Sequence, residues 1–249
     1  MTDTPAKPAQ PGLIDFLSAF GEVEAKPFTR VQTFTAKAMT RNWTTIPHVT
    51  HFDRMDVTAL EAARKAANAG RAAEARLTPL PYLMKAVANV LAELPRFNAV
   101  LDEAQTGVIL RKYINLGMAI DTPQGLVVGV VRGVDGLSID EISDQSKALG
   151  EKARTKGLTL PEMSGGTFTV SSLGALGGDG FTPIINGPEV GILAVSRLTE
   201  TACKGADGGL EWKSLLPVSL SYDHRVVNGA DAGRFMQALQ AQIDKLAAG

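Results

Sequence analysis

Two runs in the second half of the chain, residues 190–195 and 215–222, are apolar and rich in β-branched side chains. Runs of that kind are central strands of a sheet, and a central strand needs cover. The remaining sequence supplies it as an alternation of strand and helix patterns. Residues 31–43 read as a helix, and residues 48–57 alternate apolar and polar side chains like a half-buried strand. Thr58 can cap the next helix, with Glu61 three positions on completing a capping box. Pro79 and Pro81 open a further helix that runs through Leu94, since a first-turn N–H has no helical partner to lose. Residues 113–120 and 126–131 are strands on either side of a turn at Thr122-Pro123-Gln124-Gly125. Ser138 and Glu141 form a second capping box, opening a polar-faced helix that reaches about Lys156. Residues 167–172 alternate again, and an amphipathic helix from Ala230 to about Leu246 closes the chain. No internal repeat interrupts this order, and nothing between Phe28 and Leu246 marks a domain break. The expectation is one α/β domain.

Composition excludes several classes. The chain has 249 residues, 45% apolar and 20% charged, enough for a sizeable core. Its formal net charge is −1 and it has no long basic block, unlike a nucleic-acid binder. A single cysteine, Cys203, rules out an intrachain disulfide framework, and its neighbours Lys204, Gly205 and Asp207 read as a surface loop. No apolar run is long enough to span a membrane, and no charged-then-apolar leader opens the chain. Cytoplasm, or the mitochondrial matrix in a eukaryote, is the expected location. The first eleven residues are rich in Pro, Ala and polar groups, so residues 1–15 are expected to be a flexible tail or linker remnant and residues 16–249 the folded domain. His48 and His51 sit in the strand pattern with Val49 and Phe52 and read as structural. No cysteine or carboxylate cluster stands at metal-ligand spacing, so no metal is expected.

The segment with the most chemical content is Ser221-Tyr222-Asp223-His224-Arg225-Val226-Val227-Asn228-Gly229-Ala230-Asp231. A strand delivers His224 at its end, and Asn228 and Gly229 come just before a helix. A rigid scaffold that ends in a short loop is a favoured carrier of reactive groups. Asn228 can fix the turn by bonding to backbone groups, and Gly229 relaxes its backbone limits. From spacing alone, a structural role for His224 is favoured over a chemical one.

This stretch resembles the His-x-x-x-Asp-Gly motif of the dihydrolipoamide acyltransferases and of chloramphenicol acetyltransferase, and its longer form is similar to the former. Other segments agree in order: Asn42-Trp43 with Ile46-Pro47-His48-Val49-Thr50; the stretch from Gly117 through Asp121 and Gly125 to Val128; Phe168-Thr169-Val170-Ser171-Ser172-Leu173-Gly174; then Phe181-Thr182-Pro183-Ile184, Asn186 and Pro188-Glu189-Val190. The resemblance covers nearly all of the chain after Phe16 and is greatest to the acetyl-transferring type.

The resemblance implies a chloramphenicol acetyltransferase-like α/β fold, a mixed sheet with helices packed against it, assembled as a homotrimer with active sites between subunits. It implies transfer of an acyl group, best taken as acetyl, between dihydrolipoamide and coenzyme A, both substrates, in the core of a pyruvate dehydrogenase complex. The partners implied are a lipoyl domain, on this or a separate chain, and the E1 and E3 components. His224 is then the general base. A thiol titrates near about 8.5 and an imidazole near about 6.5, so a neutral ring can take the thiol proton as sulfur attacks the thioester. Ser171 would donate to the tetrahedral oxyanion, with Ser172 as the alternative. Asn228 occupies a position where the family motif has Asp, so it supports by hydrogen bonds without charge. Asp121 and Arg64 match positions around the coenzyme A entrance.

Gly129 and Ala175 stand where the family usually has Pro and many members have His; neither touches the implied chemistry. The ending Lys245-Leu246-Ala247-Ala248-Gly249 lacks a strongly apolar anchor, from which a trimer rather than a larger cage is expected. Two other readings remain: a non-catalytic scaffold subunit, against which His224 and Ser171 argue, and an acyltransferase of the same fold with a non-lipoyl acceptor.

Overall fold

A computed structural model describes residues 11–249. Among them, nine strands and seven α-helices succeed one another in the order α1 (Pro11–Ser18), α2 (Arg30–Thr45), β1 (His48–Asp56), α3 (Thr58–Ala67), α4 (Pro79–Glu93), β2 (Ala99–Leu101), β3 (Val108–Leu110), β4 (Leu116–Ile120), β5 (Val127–Val131), α5 (Ile139–Thr155), α6 (Leu160–Met163), β6 (Phe168–Ser172), β7 (Gly191–Val195), β8 (Thr199–Lys204), β9 (Leu210–Asp223) and α7 (Gly229–Ala248). Seven strands form one mixed sheet in the order β1-β9-β7-β6-β4-β5, with β8 paired to the first half of β9. The pairs β4–β6 and β6–β7 are parallel and the others antiparallel. The hairpin β2–β3 stands apart.

The sheet has two unlike faces. Leu216, Val218, Leu220 and Tyr222 of β9 share a core with Val170, Leu193 and buried residues of α4 and α7. Phe235 of α7 stacks on Phe168 at 5.8 Å and meets Phe97 at 4.7 Å, which fixes the helix on the sheet. The other face carries Thr169, Ser171, Ser219 and Ser221, all but Ser171 almost fully buried. So β9 alternates from Val218 to Asp223, although its sequence reads as a continuous apolar run. The segment between β6 and β7 lies over this second face. At Gly180, φ is +155° and an added Cβ would meet the Phe52 ring at 3.3 Å and Ser219 Oγ at 3.5 Å, so only glycine allows that approach.

Several local expectations hold. Ser138 Oγ accepts from Glu141 N–H, and Glu141 Oε2 accepts from Ser138 N–H at 2.8 Å. The Thr122–Gly125 turn closes with a 3.0 Å backbone bond. Others are corrected. Thr58 does not cap α3: Asp56 Oδ1 accepts from both its N–H and its hydroxyl, while Thr58 Oγ1 accepts from Ser214 N–H at 2.9 Å. Glu61 turns instead to Arg64. Cys203 lies on strand β8 rather than in a loop; the turn is residues 205–209, closed by Gly205 N–H to Gly209 O. Residues 113–115 precede β4 instead of belonging to it. The expected boundary at residues 15/16 falls inside α1, and residues 1–10 of the expected tail lie outside the described residues. No helix among the described residues is long and apolar enough to cross a membrane.

Candidate active site

Strand β9 delivers Asp223 at its end, and three backbone bonds fix the loop that begins there. Asp223 N–H donates to Val190 O at 2.9 Å, and His224 N–H donates to Pro47 O at 3.0 Å. Val227 N–H turns back to Asp223 O at 3.0 Å. The Asp223 carboxylate, 2% exposed, takes Arg225 Nη2 at 2.6 Å, Nε at 2.9 Å and the Arg225 N–H at 3.0 Å. That clamp raises the guanidinium pKa, chiefly by hydrogen bonding to the carboxylate. The loop is therefore rigid, and His224 at its tip is exposed. Its ring lies 6.1 Å from that of Tyr222 at 30°. Among the described residues its ring nitrogens have no hydrogen-bond partner. Asp223 and Arg225 stand in the motif, yet sequence assigned them no role; the only signal was a charged residue ending an apolar strand.

Asn228 is the N-cap of α7. Its Oδ1 accepts from Asp231 N–H at 3.0 Å, and Asp231 Oδ2 accepts from Asn228 N–H at 3.4 Å, completing a capping box. It sits four residues from His224 and fixes the helix next to the loop that carries it.

Ser171 is half-buried on β6, and among the described residues its hydroxyl has no partner. It does not meet His224 of the same chain. Ser171 pairs with Ala194, and Ala194 with Ser219. His224 is thus two strands across and five residues along, which at strand spacings puts the Cα atoms roughly 20 Å apart.

Ser172, pointing to the opposite face, lines a cavity of about 480 Å³ with Thr78, Leu80, Met118, Ala119 and Arg197. Neither Asp121 nor Arg64 lines it. Asp121 is exposed two residues beyond Ala119 and has no partner among the described residues. Arg64 Nη1 donates to Leu77 O, the residue before Thr78, at 2.9 Å, and its other nitrogens bind Glu61 at 2.6 and 2.8 Å. The pair leaves Arg64 firmly placed, with its charge answered by Glu61.

On the polar face, Glu189 is fully buried and accepts from Thr169 Oγ1 at 2.6 Å and Asn186 Nδ2 at 3.3 Å. Burial pushes its carboxyl up to about 7, against the lowering effect of those two bonds.

Residues 20–248 match the family described as 2-oxoacid dehydrogenases acyltransferase (catalytic domain). The chain belongs to this family. It is 46% identical over 238 residues to the dihydrolipoyllysine-residue acetyltransferase component of the pyruvate dehydrogenase complex of Haemophilus influenzae, covering 94% of this chain and 41% of that protein. The corresponding Pseudomonas aeruginosa protein is 47% identical over 228 residues, again covering 41% of its length. The chain thus spans about two fifths of the curated relatives it matches. Among solved structures, a dihydrolipoamide acetyltransferase of Azotobacter vinelandii superposes with a TM-score of 0.88 at 41% identity, covering 98% of this chain and 99% of that one. Chloramphenicol acetyltransferase superposes at 0.53 with 14% identity, which shows the shared fold. The Azotobacter structure was studied for the roles of a serine, a histidine and an asparagine in the catalytic mechanism. Its histidine and asparagine are four residues apart, as His224 and Asn228 are. Its serine precedes the histidine by 52 residues; Ser172 stands at that spacing here and Ser171 one residue further.

Proposed function

We propose that this family member transfers an acetyl group between dihydrolipoamide and coenzyme A, with His224 as general base. The observation that carries the proposal is an exposed imidazole without a partner, held at a clamped strand end. Its neutral ring takes the proton of the attacking thiol. The sulfur adds to the thioester carbonyl, the tetrahedral oxyanion collapses, and the departing thiolate regains the proton from the imidazolium. No acyl-enzyme forms. Ser171 donates its free hydroxyl to the oxyanion. The exposed turn 205–209 lies between it and His224 in sequence, and this reading places there the one extra residue that separates its spacing from that of the Azotobacter enzyme.

Asn228 supports the loop by capping α7. Asp121 and Arg64 meet coenzyme A on its way to the site. Because Ser171 and His224 of one chain are far apart, the working site lies between subunits, and the active particle is a homotrimer. Its partners are a lipoyl domain and the E1 and E3 components of a pyruvate dehydrogenase complex, in the cytoplasm of a bacterium or the matrix of a mitochondrion.

The test is an acyl-transfer assay with acetyl-CoA and dihydrolipoamide. His224→Ala is expected to lower kcat by several orders of magnitude. Ser171→Ala should lower it by about 10²–10³, the usual effect of losing one oxyanion donor, while Ser172→Ala stays near wild type. A His224→Ala protein with wild-type turnover would remove the base. A loss confined to Ser172→Ala would move the oxyanion donor to the other sheet face.

A further inference from the structure

We propose that His48 is a positioning residue for His224, fastening the two backbone segments that hold the reactive loop in place. This rests on His224 being the general base. Both His48 ring nitrogens are engaged. Ile185 N–H donates to Nε2 at 3.0 Å, so that nitrogen is the acceptor. Nδ1 then carries the hydrogen and donates it to Ile46 O at 2.8 Å. The ring also packs on Trp43, with centroids 5.3 Å apart. A ring tied at both nitrogens is neither a base nor a ligand, but it is a rigid bracket.

The bracket joins two particular segments. Ile185 is fully buried in the stretch that leads to β7. Its N–H goes to His48, and its carbonyl accepts Asn42 Nδ2 at 3.0 Å, so both its backbone groups are held by side chains from the end of α2 and the start of β1. Five residues after Ile185, Val190 gives its carbonyl to Asp223 N–H. Between Ile46 and His48, Pro47 gives its carbonyl to His224 N–H. The two carbonyls that aim the end of β9 therefore come from the two segments that His48 ties together. The ring of Pro47 fixes its φ, so the direction of its carbonyl depends on the anchors on either side.

Loosening this bracket displaces the imidazole while Arg64 and Asp121, the residues proposed to meet coenzyme A, lie elsewhere, on α3 and just after β4; Arg64 is held by Glu61 and Leu77. A misplacement of about 1 Å in a reacting group costs on the order of 10²-fold in rate. The signature is therefore a fall in kcat with KM little changed. His48→Phe keeps a flat ring beside Trp43 and removes both bonds. His48→Gln returns an acceptor where Nε2 was.

Steady-state assays with acetyl-CoA and dihydrolipoamide, alongside thermal melts and sedimentation, test this. In His48→Phe, kcat is expected to fall by about 10–100-fold with KM within about threefold. In His48→Gln, kcat should stay within a few-fold of wild type. If His48→Phe does not fold, Asn42→Ala removes the other side-chain bond to Ile185, leaving only the Gly187 N–H on its carbonyl, and should show the same selective fall in kcat. The proposal is overturned by wild-type kcat in His48→Phe or in Asn42→Ala, by an equal loss in the Gln and Phe variants, or by an effect on KM alone. A fully active His224→Ala protein would overturn the general-base reading itself, a different result from any of these.

Discussion

Mixing two inactive variants gives the sharpest test of where the active site lies. Ser171→Ala keeps His224 but loses the proposed oxyanion donor; His224→Ala keeps Ser171 but loses the proposed base. Strand register puts the two groups of one chain roughly 20 Å apart, far beyond the reach of a single tetrahedral intermediate. On the proposed mechanism, a site then draws its serine from one subunit and its histidine from another. When the two variants are co-expressed in equal amounts and assemble at random, half of the serines and half of the histidines are intact. About a quarter of the interfaces therefore hold both, and the mixture should show about a quarter of wild-type kcat per site. Each variant alone retains about 1% or less, so this recovery stands well above background. The assay is acetyl transfer to dihydrolipoamide by the co-purified, differently tagged chains, with their ratio checked by mass spectrometry. Activity that stays at the mean of the two separate variants would show that serine and histidine act from the same chain, and the register argument would fail.

Two further perturbations act on single contacts. Asn228→Ala removes the acceptor for Asp231 N–H at the start of α7 and should cost about 1 kcal/mol, lowering Tm by about 2–4 °C, whereas Asn228→Asp should leave Tm near wild type. Glu189 has its folded-state pKa raised from 4.5 to about 7 by burial, so between those values the folded chain holds a proton that the unfolded chain has released. Stability should therefore fall as pH rises from about 4.5 to about 7, and Glu189→Gln should flatten that part of the melting-temperature profile; a slope unchanged by the substitution would mean that Glu189 does not set it.

The features legible in the sequence and the features hidden from it divide along a physical line. Local devices are legible: Ser138 and Glu141 form their capping box because both partners lie within one helical turn. Pro79 and Pro81 open α4 for the same local reason. Thr58 misleads because its hydroxyl is taken by Ser214, 156 residues away, a partner no local pattern reveals. The second face of β9 is hidden too: Ser219 and Ser221 sit in an apolar run, and only the segment laid over them makes them buried polar residues. His48 looks like one more strand residue, since its acceptor contact lies 137 residues further along. The candidate site is legible as a motif in His224 and Asn228, but the distance between His224 and Ser171 is a property of register, which sequence does not carry.

That distance also explains how the chain distributes its polar groups. The interior of the sheet's second face is matched: Thr169 binds Glu189, and Thr50 lies 2.7 Å from Ser221 across the strands. Against that background, the Ser171 hydroxyl and the His224 ring stand out, since neither has a hydrogen-bond partner among the described residues. Local folding demands do not account for holding two unpaired groups on rigid supports. A neighbour that brings the complementary group to each does, and on the function proposed above it would make catalysis conditional on assembly: a chain that folds correctly but stays alone would have every reacting group in place and no complete site.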